Sequence, residues 1–165
     1  EGDDNDFILL PEELGLPPMP KRFVQAELGD HAKGVARFKR TLAWREEQKT
    51  DSVLRLPHPR FDFIKRCYST SFHLPDKQGR LVYFERPGTI QWAKLTAVGI
   101  SVDELIRHYM YCMEFLWQEL LPRQTDTVSI VVDLEGMRLM DVRGDVSAFM
   151  KATINMMSRH YPQVC

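Results

Sequence analysis

An α/β fold is what this sequence predicts: a helical N-terminal lobe, then a β-sheet with flanking helices. Three observations carry that expectation. Apolar positions at helical spacing run from Lys21 to Lys49. Two runs rich in aromatic and β-branched residues, CYSTSF and RLVYFE, flank a loop containing Pro75, Asp76 and Gly79. A strand-like run at Thr127–Leu134, with Val128, Ile130, Val131 and Val132, then leads into an amphipathic segment, the strand-then-helix order of a βαβ unit.

The first 20 residues are acidic and then proline-rich, which predicts an extended tail. From Lys21, Ala36, Phe38, Leu42 and Trp44 supply an apolar stripe among Lys33, Arg37, Lys39, Arg40 and Arg45. Gly29-Asp30 breaks this stretch in two, with Asp30 as N-cap of the second helix. The basic residues are expected to form a solvated face balanced by Glu46 and Glu47, a membrane or nucleic-acid patch being the alternative. Leu56-Pro57-His58-Pro59 closes the lobe near residue 60.

The two strand-like runs follow as a hairpin with a long loop. Ser101 with Glu104 three residues later is a capping box, so a helix is expected from Ser101 to Leu121. Leu105, Tyr109, Met113, Leu116 and Leu120 share one face, yet Cys112, Phe115 and Leu121 leave few polar positions. Such a helix is buried on more than one side, either in a core or along an apolar cavity. Val128, Ile130, Val131 and Val132 predict a strand covered on both faces. The last helix is expected over about 145–160, with Val146, Phe149, Met150, Thr153, Ile154 and Met157 inward and Tyr161-Pro162 ending it.

Length, 165 residues, suits one domain with or without an accessory piece, and 44% hydrophobic with 27% charged residues is ordinary for a globular chain. A net charge of −1 gives no global attraction to nucleic acid. No apolar run approaches the roughly 20 residues that span a bilayer, and the acidic start is unlike a secretory leader. A cytoplasmic location is therefore expected. Cys67, Cys112 and Cys165 lack metal-ligand spacing and are expected as free thiols. Because the chain starts with Glu and its crossover has no return strand, it is expected to be part of a longer protein.

Asp133 and Glu135, at the end of the apolar strand, raise the question of catalysis. A magnesium-binding strand would need a phosphate loop GxxxxGK(S/T), which is absent. There is no GxSxG elbow and no glycine-rich dinucleotide fingerprint. The five histidines are scattered. The expectation is no enzyme, no metal and no cofactor, with Asp133 and Gly136 serving the turn that follows the strand.

Three stretches together resemble the CRAL-TRIO family of lipid-binding domains, the phosphatidylinositol-transfer-protein superfamily. They are RFKRTLAWREE (Arg37 to Glu47), DKQGRLVYFERPG (Asp76 to Gly88) and VVDLEGM (Val131 to Met137), with His160-Tyr161-Pro162 matching a helix end. The resemblance covers about residues 21–165: a lobe at 21–60 and a CRAL-TRIO domain, C-terminally incomplete, at 61–165. It implies a mixed sheet whose one face, with flanking helices, encloses a lipid pocket. It also implies binding and intermembrane transfer of a lipid by a protein peripheral to membranes, with a non-transferring recognition module as the alternative.

By that resemblance, positions serving a choline headgroup fall on Phe72, Tyr83, Val128 and Ile130, where only Tyr83 keeps a hydroxyl. Positions serving an inositol headgroup fall on Leu28 and Gln163, both uncharged. The expected ligand is a phospholipid or a less polar lipid, and the loss of those polar groups favours the less polar kind, such as a sterol-like or isoprenoid molecule.

Overall fold

The computed structural model of the chain describes residues 6–121, 127–137 and 143–162. The N-terminal lobe comprises β1 (Phe7–Ile8), β2 (Met19–Pro20), α1 (Arg22–Gln25) and α2 (His31–Gln48). Residues expected as an extended tail do more than extend. Phe7 pairs with Pro20 and Ile8 with Met19 in an antiparallel ladder, and Met19 is fully buried. It joins Phe23, Val24 and Phe38 in a small core, with the Phe23 and Phe38 rings 5.0 Å apart. Gly34 lets α2 cross α1 closely: a Cβ there would stand 2.9 Å from Val24 Cγ2. Asp30 caps α2, accepting from the Lys33 amide at 3.0 Å.

The basic face of α2 is not balanced by Glu46 and Glu47. Arg45 turns inward to Glu114 and Asp51, and Arg37 binds Glu27 and the last carbonyls of the final helix. Those partners come from other elements, which outcompete neighbours on the same helix.

After the lobe come α3 (Phe61–Cys67), β3 (Thr70–His73), β4 (Leu81–Glu85), α4 (Trp92–Ala97), α5 (Val102–Phe115, followed by a π-helical turn over Leu116–Leu120), β5 (Val128–Val132) and α6 (Gly144–His160). The sheet is mixed, in order β3-β4-β5: β3 runs antiparallel and β5 parallel to β4. Asp76 ties the hairpin loop to β5. It accepts from the amides of Gln78 and Arg80, from the Arg80 guanidinium, and from Ser129 Oγ at 2.8 Å.

Helix α5 is buried on several sides, as its composition requires: Leu105, Tyr109, Met113 and Leu116 enter the main core, and so do Met110 and Cys112. Ser101 accepts from the Glu104 amide at 3.1 Å and starts it. Two expectations are corrected. Strand β5 is not covered on both faces, since Ile130, Val131 and Val132 are 40–45% exposed, whereas Val128 is buried in the main core. The inward stripe of α6 is Phe149, Thr153 and Met156, which leaves Ile154 on the solvent side at 61% exposure. Thr153 enters the core without an orphan hydroxyl, donating to the Phe149 carbonyl at 3.1 Å.

One buried carboxylate joins lobe, α5 and α6. Glu114 receives both terminal nitrogens of Arg45 at 2.9 Å and also accepts from Gln118 and the Tyr161 hydroxyl. Arg22 lies over the Trp117 ring at 4.8 Å, its pKa lowered to about 10 chiefly by burial and then by Arg45. Glu114→Ala leaves Arg45 without its main counter-charge and should cost about 3–5 kcal/mol in urea unfolding. A loss within about 0.5 kcal/mol, the range of an ordinary surface change, would show that the bridge does not hold the lobe.

Candidate functional site

Strand pairing brings the four residues suggested by the resemblance onto one sheet face. Phe72 pairs with Tyr83, and Tyr83 with Ile130, so the three form a single cross-strand row. Val128 stands two residues from Ile130, on the same face, opposite Leu81. The Phe72 and Tyr83 rings are 5.4 Å apart, and Phe72 also meets Phe115 of α5. The row is graded by depth. Tyr83 is 1% exposed and Val128 8%, Phe72 is half-buried, and Ile130 opens to solvent. The alternation of side chains along a strand makes this grouping obligatory once register is set.

The polar content of this face is concentrated around Tyr83. Its hydroxyl is buried with no formed hydrogen bond among the described residues. Glu85, one step along the same face, accepts from Tyr68 at 2.9 Å. Burial raises the Glu85 pKa, while Tyr68 and Tyr83 lie near enough to oppose that shift. Burial likewise pushes the Tyr68, Tyr83 and Tyr109 hydroxyls well above their ordinary range, so all three are neutral donors. Tyr109 of α5 covers Tyr83 edge-on at 6.3 Å. The face therefore offers apolar surface with one polar corner, where the Tyr83 hydroxyl lies beside the Glu85 carboxyl held by Tyr68.

Asp133 and Glu135 are engaged by one arginine. Arg86 Nε donates to Asp133 Oδ2 at 2.9 Å and its Nη2 to Glu135 Oε2 at 3.0 Å, while Asp133 Oδ1 accepts the Glu135 amide. Gly136, at φ +82°, makes the turn. The turn closes onto Gly88 so tightly that a Cβ there would meet the Glu135 carbonyl oxygen at 2.3 Å. Both carboxylates thus clasp the turn after β4 to the end of β5.

The sequence did not single out a second buried cluster. His58 Nε2 lies 2.9 Å from His108 Nδ1, and His108 Nε2 lies 3.7 Å from Cys112 Sγ. His108 falls among Leu105, Tyr109 and Cys112 on the inward side of α5, and that spacing was the available signal of its burial. Burial first, then His58 and Lys65, lower its pKa to about 3. Burial also lowers His58, with Arg107 adding to it and Glu104 opposing it. The Cys112 thiol is raised to about 11 by burial. Among the described residues no group of three His, Cys, Asp or Glu side chains is arranged to hold a metal ion. Leu28 sits at a turn tip, 98% exposed and at φ +55°, and Gln163 lies outside the described residues.

Comparison with known proteins gives a consistent picture. A model of the CRAL/TRIO domain matches residues 65–165. Phosphatidylinositol/phosphatidylcholine transfer protein SFH14 of Arabidopsis thaliana is 26% identical over 169 residues, covering 94% of this chain and 29% of that protein. For SFH9 of the same plant the values are 26% over 130 residues, 74% and 22%. The SEC14 cytosolic factor of Eremothecium gossypii is 24% identical over 150 residues, 86% of this chain and 48% of its own length. The chain thus spans about a quarter of the plant relatives and half of the fungal one. In fold, the crystal structure of Sfh5 matches with a TM-score of 0.62 at 19% identity, over 86% of this chain and 49% of that one.

Two outcomes follow from this geometry. Gly88→Ala should cost more than about 2 kcal/mol in urea unfolding, because the clash is with backbone; an unchanged midpoint would mean that the clasp is loose. His108 is held far below its ordinary 6.5, so the folded state resists its protonation. Its stabilising contribution is complete above pH 6.5 and declines as pH falls toward about 3. His108→Gln should therefore flatten the acid limb of a stability–pH curve; an unaltered limb would contradict this assignment.

Proposed function

The chain belongs to the CRAL/TRIO domain family, and on that premise we propose that it binds a hydrophobic lipid on this sheet face and moves it between membranes. The relatives named above as phosphatidylinositol/phosphatidylcholine transfer proteins support this reading. The observation that carries it is the row Phe72–Tyr83–Ile130 with Val128 beside it, an apolar strip holding one buried, unsatisfied hydroxyl. Ligand sites are mostly apolar with few convergent polar groups. No covalent step is required: association and release of the lipid at a transiently contacted membrane surface suffice. The protein then acts as a cytoplasmic factor peripheral to membranes.

The ligand is less polar than a phospholipid. Phe72, Val128 and Ile130 supply no donors, so a buried phosphate group would be left largely unmatched along this row at a cost of several kcal/mol. A single hydroxyl or carbonyl on a sterol-like or isoprenoid body can pair with the Tyr83 hydroxyl at the polar corner of this row, while the rest of the ligand lies on Phe72, Val128 and Ile130.

The protein purified from cells should carry such a lipid, detected by solvent extraction and native mass spectrometry, and should pass it between donor and acceptor vesicles. Ile130→Trp should sharply lower occupancy while leaving the thermal midpoint nearly unchanged. Recovery of phosphatidylinositol or phosphatidylcholine instead would overturn the ligand class. Unchanged occupancy in Ile130→Trp would remove Ile130 from the site.

A further inference from the structure

A second feature lies apart from that sheet face. Between α2 and the C-terminal end of α6 runs a cleft of about 480 Å³ lined by Glu27, Arg37, Arg40, Ser158, Arg159 and His160. A neighbouring cavity of about 490 Å³ shares Arg159 and His160 and continues over Trp44, Ile106, Met110 and Met156, with Arg107 and Asp103 at its edge. Helix α5 separates the two regions, since Tyr109 meets Tyr83 of the sheet while Ile106 and Met110 line the cavity.

Three guanidinium groups from two helices converge here with one carboxylate. Glu27 is taken by Arg37, whose other nitrogens hold the Ser158 and Arg159 carbonyls and so fix the cleft's shape. Arg40 and Arg159 have no ion-pair partner among the described residues. His160 forms one wall. Its ring stacks on Trp44 at 4.2 Å and 3°, and Thr41 Oγ1 lies 3.2 Å from its Nδ1, leaving Nε2 without a hydrogen-bond partner among the described residues. Its pKa is lowered to about 4, first by burial and then by Arg159, Arg37 and Arg40, an independent sign of uncompensated positive charge.

We propose that this cleft is a phosphate-binding site, in which Arg40, Arg159 and His160 Nε2 hold a phosphomonoester or polyphosphate group against the Trp44–His160 wall. Planar guanidinium forks suit phosphate oxygens, and two from different helices can grip one group from two directions. The site stands apart from the proposed lipid-binding function and needs no occupant on the sheet face. Its phosphate comes either from a phosphorylated headgroup in a membrane or from a soluble compound.

Inositol hexakisphosphate serves as the soluble probe, titrated calorimetrically; phosphatidylcholine vesicles with and without a phosphatidylinositol bisphosphate serve as the membrane probe, in flotation. Binding should weaken by about tenfold or more in the double variant Arg40→Gln, Arg159→Gln, and only partly in the Lys counterparts. It should weaken with added salt, and the His160 pKa, followed by NMR, should rise on binding. Lys77→Gln, Lys94→Gln, away from the cleft, should change nothing. Binding to bisphosphate vesicles only assigns a membrane headgroup, and binding of the soluble probe at comparable affinity assigns a free phosphate compound. Absence of both, or equal loss in the control variant, overturns the proposal. Because Arg40 and Arg159 are exposed and hold no other element, the double variant should keep its hydrophobic ligand. Loss of that ligand without loss of phosphate binding would instead count against the lipid reading alone.

Discussion

The Arg45–Glu114 bridge is the constraint on which the arrangement turns. Glu114 is 1% exposed on a helix that is otherwise mostly apolar. A buried carboxylate is tolerated only if its oxygens are filled, and here the partners come from three directions: Arg45 of α2, Gln118 one turn on, and Tyr161 after α6. Satisfying that single charge therefore fixes how the N-terminal lobe and the end of α6 meet α5. Such bridges contribute modestly to net stability, yet they are costly to break, which makes them devices for holding one arrangement.

With α5 pinned in this way, its two sides serve different surroundings. One side, through Tyr109 and Phe115, closes over the sheet row of Phe72 and Tyr83. The other, through Ile106 and Met110, forms part of the wall of the cavity that adjoins the arginine-lined cleft. The near-absence of a polar face on α5 has its physical explanation here. The sheet row is graded from buried Tyr83 on the central strand to exposed Ile130 on β5, at the end of the described sheet.

Local signals in the sequence were informative where the interactions are local. The caps at Asp30 and Ser101 act over three residues. The register of Phe72, Tyr83, Val128 and Ile130 follows from strand alternation once the strands are aligned. The short helices α3 and α4, of seven and six residues, carry too few turns to show a period, and α3 runs directly into the aromatic stretch that reads as strand. The cover on β5 depends on what packs beside it, which no run of valines encodes. Nothing local marks the roles of Glu114 and His108, because their partners lie 69, 47 and 50 residues away. Similarly, the choice between Ile154 and Met156 on α6 depends on which side meets α5.

The claim that this sheet face takes a hydrophobic ligand is tested most directly by photocrosslinking. A sterol carrying a diazirine, loaded onto the protein and irradiated, should leave adducts on peptides containing Phe72, Tyr83 and Ile130. Adducts confined to the groove between Leu9 and Val35 of the N-terminal lobe, or none at all, would contradict it.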